Sequence, residues 1–230
     1  MCGRFTNQIT WQELVRLYRI HDQPALNLRP RYNAAPSQDI PIVRPADDGR
    51  EVVLARWGLV PSWAKDAKVG YKMINAKAET VDTTAAYRAA FKSRRCLIPA
   101  DGFYEWLKLP DGSKQPYRLC LADRQPFAFA GLWESNKGLE VTSCTIVTTE
   151  PNDVAGKIHN RMPVILSPEN YEAWLSPETA PADAKALLRP YEGPMIAYPV
   201  DKAVGSPKND RPELVEQIAG RSENHVIPKP

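Results

Sequence analysis

Twenty-two prolines are spread through the 230 residues instead of being gathered into a linker. Proline has no backbone N–H and its ring blocks a helix interior, so a chain punctuated this way is divided into short elements. Turn signals such as Ala46-Asp47-Asp48-Gly49, Pro110-Asp111-Gly112 and Ala122-Asp123-Arg124 divide it further. The runs between them are rich in β-branched and aromatic residues. They predict strands over 39–44, 51–60, 96–98, 103–107, 116–121, 127–133, 141–148, 163–166 and 195–200. Helices are expected over 10–21 and 83–95, with shorter ones over 152–158, 168–175 and 183–188. For the first, Thr10 and Glu13 have capping-box spacing, and Trp11, Leu14, Val15 and Tyr18 form one apolar face. The proline-rich stretch 24–36 reads as irregular. No fixed-period repeat is visible. The expected class is α+β: one domain over residues 1–230, mostly an antiparallel curved or barrel-like sheet with flanking helices. Residues from about 215 onward read as a less defined tail.

Composition narrows the function. No run of about 18 apolar residues exists, so no membrane span is expected, and the N-terminus lacks a signal pattern. A cytoplasmic protein is the expectation. The net charge is +3, with no block of like charge, so contact with nucleic acid would depend on a local groove of cations. The four cysteines, Cys2, Cys96, Cys120 and Cys144, have no metal-ligand spacing. No metal or cofactor is expected. Cys96, Cys120 and Cys144 lie in apolar or alternating stretches and read as small core residues.

Cys2 is different because of its place. Removal of Met1 before a small side chain would leave it with a free α-amine beside its thiol, both partly deprotonated near neutral pH. The amine can condense with an aldehyde, and the thiol can then close a five-membered thiazolidine. Several segments carry further chemistry: RPRYNAAP (29–36), WGLVPSW (57–63), INAKAET (74–80), DGFYEW (101–106) and HNRMPVIL (159–166). The fourth sets a carboxylate among aromatics, where desolvation raises its pKa.

In this order, with MCGRF at the start and AVGSPKND at 203–210, these segments resemble the SRAP family, the SOS response-associated peptidases or abasic-site processing proteins. The resemblance implies that Cys2 crosslinks to an abasic site in single-stranded DNA and shields it. It implies that Asn75 holds the opened sugar and the Cys2 end, and that Glu105 orients the amine and moves protons. His159 would donate a proton to the sugar ring oxygen. It gives DNA-binding roles to Arg4, Lys77 and Arg161 at phosphates, and to Trp63 as a stacking surface. Pro36 would wedge a strand end beside Asn33, and Lys208 and Asn209 would reach the same groove. Arg is usual at the position of Lys77, and some relatives have a second Trp where this chain has Ala64. Trp57 reads as core, and His21 and His225 as structural or solvent-exposed. The implied partner is single-stranded DNA with abasic sites. The protein is expected to be a monomer, associated with the nucleoid when bound to damage. A second reading is an N-terminal-cysteine hydrolase, with peptidase activity that could be limited to its own Met1-Cys2 bond; a third is a single-strand binder with an incidental cysteine.

Overall fold

The structure is a computed structural model that describes residues 2–21 and 23–218. In chain order the strands are β1 (Phe5–Asn7), β2 (Arg31–Ala34), β3 (Asp39–Ala46), β4 (Gly49–Trp57), β5 (Asn75–Lys77), β6 (Arg95–Ala100), β7 (Gly102–Lys108), β8 (Lys114–Leu121), β9 (Phe127–Asn136), β10 (Val141–Thr149), β11 (Met162–Pro163), β12 (Ile165–Leu166) and β13 (Met195–Pro199). The helices are α1 (Trp11–Tyr18), α2 (Arg88–Ser93), α3 (Tyr171–Leu175) and α4 (Pro181–Ala186).

The strands form two sheets. One has the order β13-β8-β7-β1-β2. In the other, β10 pairs with β4, β4 with β3, β3 with β6, β6 with β9, and β9 with β10 again. This closed ring of five strands is the expected barrel, extended by β5 and β11 along β10 and by β12 along β9. Every pairing is antiparallel except those of β10 with β4 and β5. The fold class is thus α+β, as the pattern of short strands predicts.

Burial follows the pleat, whose side chains alternate between faces. In β6, Cys96, Ile98 and Ala100 face a core shared with the five-stranded sheet, while Leu97 faces a core roofed by the helices. A strand covered on both sides reads as a continuous apolar run, and all six residues of β6 are buried. Its first residue is a charged exception. Arg95 donates from its guanidinium to Phe91 O, Lys92 O, Trp174 O and Ser176 O. One buried cation therefore satisfies carbonyls at the C-terminal ends of both α2 and α3. A third, smaller core lies on the outer face of the five-stranded sheet, where Tyr104, Cys120 and Tyr198 meet Val200, Val204 and Leu214.

Several boundaries differ from expectation. The capping box of α1 forms, with Thr10 N–H donating to Glu13 at 2.8 Å, but the helix stops at Tyr18 because Arg19 turns left-handed (φ 54°). Only Arg88–Ser93 of the expected 83–95 helix is helical; turns held by Thr80 O and Thr84 O precede it. The 152–158 helix shrinks to one 3-10 turn, Ala155–Lys157. The single strand expected over 163–166 is two, β11 on β10 and β12 on β9, with Val164 between them bonded to Val147 and Ala130. The stretch 24–36 contains β2, and β1 and β5 were not anticipated. His21 is exposed, as expected. His225, and the tail from residue 219, lie outside the described residues.

Candidate functional site

Cys2 lies where the five-stranded sheet meets the barrel. β1 pairs with β7 with Phe5 opposite Phe103, and Tyr104 N–H donates to Arg4 O at 3.0 Å. Continuing that register brings the residues before Arg4 alongside Glu105. Phe5 makes edge contacts with Trp57 (5.2 Å between ring centres) and Phe129 (5.8 Å), fixing β1 against the barrel. Cys2 is completely buried in the same core.

Asn75 reaches Cys2 from the barrel side. Its Nδ2 donates to Cys2 O at 2.9 Å. β5 runs parallel to β10, with Asn75 opposite Ile146. Alternation turns Ala76 into the helix-roofed core and leaves Asn75 and the exposed Lys77 on the opposite face. Tyr87 donates from its hydroxyl to Asn75 O at 3.1 Å, fixing the backbone. Among the described residues, Asn75 Oδ1 is buried with no hydrogen-bond partner. A buried amide oxygen left in this state is an acceptor available to a ligand donor.

Glu105 is buried on β7. It shares a strand face with Phe103, whereas Tyr104 and Trp106 point into the outer core. Burial pushes its carboxyl above the ordinary carboxylate range, and the charge of His159 pulls the other way. Glu105 and His159, far apart in sequence, are therefore electrostatic neighbours. The Cys2 thiol is also pushed up, first by burial and then by the Glu105 charge. His159 is half-buried and follows the 3-10 turn at Ala155–Lys157. Its Nδ1 lies 3.1 Å from Arg161 N and 3.3 Å from Arg161 O.

The expected DNA-binding residues divide by exposure. Trp63 is 65% exposed at the corner of a turn closed by Ala64 N–H donating to Pro61 O. Trp57, by contrast, is wholly buried and donates from its indole to Ile74 O at 2.9 Å. Pro36 is half-buried in a turn whose next residue, Ser37, donates its N–H to Trp57 O. Lys77 and Lys208 are exposed. Arg161 instead grips Glu79 with both terminal nitrogens (2.5 and 3.0 Å) and Thr148 O at 2.7 Å. That hydrogen bonding holds the Glu79 carboxyl below its usual range.

Asn33 has no surface to offer a strand, since it is fully buried. Its Nδ2 donates to Val204 O, Ser206 O and Asn209 O, and its Oδ1 accepts from Arg4. Arg4 also donates to Val204 O and Gly205 O. Asn209 donates to Ala203 O. Arg4 and Asn33 thus bind the segment around 203–209 to β2 and to the chain entering β1, while the Asn209 side chain braces that segment internally. Thr148 and Glu79, which orient Arg161, were not singled out from sequence. Glu79 lies within the INAKAET segment, but nothing in that segment indicates its partner.

Cys96, Cys120 and Cys144 are buried free thiols in the cores, as expected. No cluster of His, Cys, Asp and Glu able to hold a metal occurs among the described residues, nor any helix long and apolar enough to cross a membrane.

The family model for the SOS response associated peptidases (SRAP) matches residues 1–207. The chain is 46% identical over 223 residues to the abasic site processing protein YoqW of Bacillus subtilis strain 168, covering 94% of this chain and 99% of that one. It is 33% identical over 225 residues to the abasic site processing protein HMCES of Xenopus tropicalis, covering 83% and 67%. A crystal structure of a protein from Bacteroides thetaiotaomicron superposes with a TM-score of 0.79 at 26% identity, covering 93% of this chain and 99% of that one.

Proposed function

The chain belongs to the SOS response associated peptidase family, and from that premise we propose that it processes abasic sites in single-stranded DNA by forming a covalent crosslink through Cys2. The observation that carries this reading is the meeting, at one buried point, of the Cys2 main chain, the Asn75 amide and the Glu105 carboxyl. They come from the chain leading into β1, from β5 and from β7, distant parts of the sequence.

The chemistry runs in a set order. In the translated chain the Cys2 nitrogen is tied up in the peptide bond to Met1, so hydrolysis of that bond comes first and frees the α-amine. His159, as the imidazolium, donates a proton to the ring oxygen of the abasic sugar while the anomeric hydroxyl releases its own to water, and the ring opens to the C1′ aldehyde. The amine attacks C1′, and the carbinolamine loses water to give a Schiff base. Glu105 takes a proton from the attacking nitrogen and returns it to the departing hydroxyl. Its raised pKa makes it a better proton acceptor than an exposed glutamate while leaving it able to return the proton. The thiol sulfur then adds to C1′ as its proton passes to the nitrogen, closing the thiazolidine without loss of further atoms. Asn75 holds the Cys2 carbonyl through Nδ2 and offers Oδ1 to a sugar hydroxyl.

The setting of the thiol supports amine-first chemistry. A thiol pushed up by burial and by a neighbouring carboxylate is a poor source of thiolate. It is therefore a weak opening nucleophile for an amide but a competent second partner for an electrophilic Schiff base. Peptide hydrolysis on this reading is confined to release of Met1. Trp63, Lys77 and Lys208 supply exposed stacking and phosphate contacts for the strand, and Arg161 joins them where a phosphate competes with Glu79.

The test is a single-stranded oligonucleotide with one abasic site, mixed with purified protein and run on a denaturing gel. A retarded, denaturation-resistant band is expected, and it should be absent with an undamaged strand. If protein whose intact mass shows Met1 removed gives no such band, the proposal fails.

A further inference from the structure

Three large apolar side chains are more than half exposed among the described residues: Leu54 (51%), Trp63 (65%) and Tyr71 (58%). Isolated exposed apolar residues are ordinary on a protein surface. Trp63 and Tyr71, however, share one excursion of the chain. It leaves the core at Trp57 and returns at Ile74, whose carbonyl accepts from the Trp57 indole. Asn75, the residue that holds Cys2, comes next. Four residues span at most about 14 Å, so Tyr71 lies within that distance of Asn75.

The excursion is rigid at its base. Buried Asn136 donates both amide hydrogens to Pro61 O (2.8 Å) and Ala64 O (2.9 Å), bracketing the turn that carries Trp63. The 3-10 segment Ala67–Lys72 is capped by Asp66, which accepts from Lys68 N–H at 2.8 Å. It packs so closely on Gly58 (φ 126°) that a Cβ there would stand 2.5 Å from Gly70 O. Charge is concentrated here as well. Arg56, Lys65, Lys68 and Lys72 stand against the single acid Asp66, and the three lysines are exposed. The Arg56 guanidinium lies over the Tyr71 ring at 5.7 Å from its centre. An arginine on one face of an exposed ring orients the ring and leaves its other face for stacking. Ala64 is meanwhile turned inward, 8% exposed.

We propose that Tyr71, backed by Arg56, is a second base-stacking platform that works beside Trp63 on the unpaired nucleotides flanking the lesion. This rests on the single-stranded DNA reading above and adds a base-binding residue to it. Alternating aromatic and cationic groups are what a sequence-tolerant single-strand surface requires, because every base has a π-face and every step a phosphate. The charge around the rings selects a polyanion over an apolar protein partner.

The experiment is fluorescence anisotropy with a labelled, undamaged single-stranded oligonucleotide, comparing wild type, Tyr71→Ala and Tyr71→Phe. Loss of one stacked base predicts binding weaker by about 5- to 150-fold for Tyr71→Ala, with most of the affinity kept by Tyr71→Phe. The three proteins should share a thermal midpoint, since the side chain is exposed. On a strand of the same length built from tetrahydrofuran spacers, which keep the phosphates but have no bases or aldehydes, Tyr71→Ala and wild type should bind alike. Equal binding of Tyr71→Ala and wild type to the normal strand overturns the proposal. So does a difference that persists on the base-free strand. Wild type that binds the undamaged strand but forms no adduct with an abasic one would instead contradict the crosslinking reading, leaving the platform in place.

Discussion

Burial gives Cys2 and Glu105 opposite advantages. It suppresses the thiolate and keeps the carboxyl protonated to a higher pH than an exposed glutamate. The second effect has a stability consequence. A carboxyl whose folded-state pKa is raised costs the fold free energy as it ionises. That cost is absent below the unfolded-state pKa and grows as pH rises through the folded one. Glu105→Gln removes the ionisation while keeping the shape. Its thermal midpoint should match wild type in acid and exceed it increasingly as pH rises past the ordinary carboxylate range, while adduct formation slows. A midpoint below wild type at neutral pH would show that the carboxylate is stabilising where it lies. At this scale Cys2 was conspicuous from its position in the chain. The roles of Asn75, Glu105 and His159 came from the family resemblance, because the residues that surround each of them are remote in sequence. The burial of Asn33 was not legible either: RPRYNAAP shows an amide in a stiff loop, but not that the segment around 203–209 closes over it.

Among the elements, those with their own local signals were the readable ones. The capping box announced α1, and the turn before Gly49 announced the β3–β4 hairpin, where Ala46 pairs with Gly49. The strands that were missed are short and defined by their partners. β5 has three residues and exists because β10 lies alongside it, and β1 is fixed by β2 and β7. These are also the strands that carry Asn75 and hold the chain next to Cys2. The short helices pose the reverse problem, since five or six residues form no stable helix alone. Arg95 supplies what α2 and α3 lack, by bonding carbonyls at both C-terminal ends. Arg95→Met should keep the packing volume but leave buried carbonyls without donors, at about 2 to 4 kcal/mol. Chemical denaturation of the two proteins measures this, and a loss under about 0.5 kcal/mol would mean that water or another donor replaces the guanidinium.

Across the described residues as a whole, two sheets meet around Cys2. The barrel contributes Asn75 through β5 and carries the excursion with Trp63 and Tyr71, while the five-stranded sheet contributes Glu105 and anchors the chain that leads back to Cys2. Strand displacement between the sheets would part the carboxyl from the amide, so the site depends on the shared core of Phe5, Trp57, Phe103 and Phe129. The α+β barrel was legible from many short strands between frequent turns. Closure of the ring through β9 and β10, and the side on which the second sheet packs, were not, because register is a property of pairs. In the proposed crosslink the amine reacts first and the sulfur completes the ring. Intact mass spectrometry of the adduct, with and without borohydride, tests it most directly. The expected mass is that of protein lacking Met1 plus oligonucleotide less one water, unchanged by borohydride because a thiazolidine has no C=N bond, whereas any Cys2→Ala adduct should gain two hydrogens on reduction. A wild-type adduct that retains Met1, or one that borohydride reduces like that of Cys2→Ala, would contradict it.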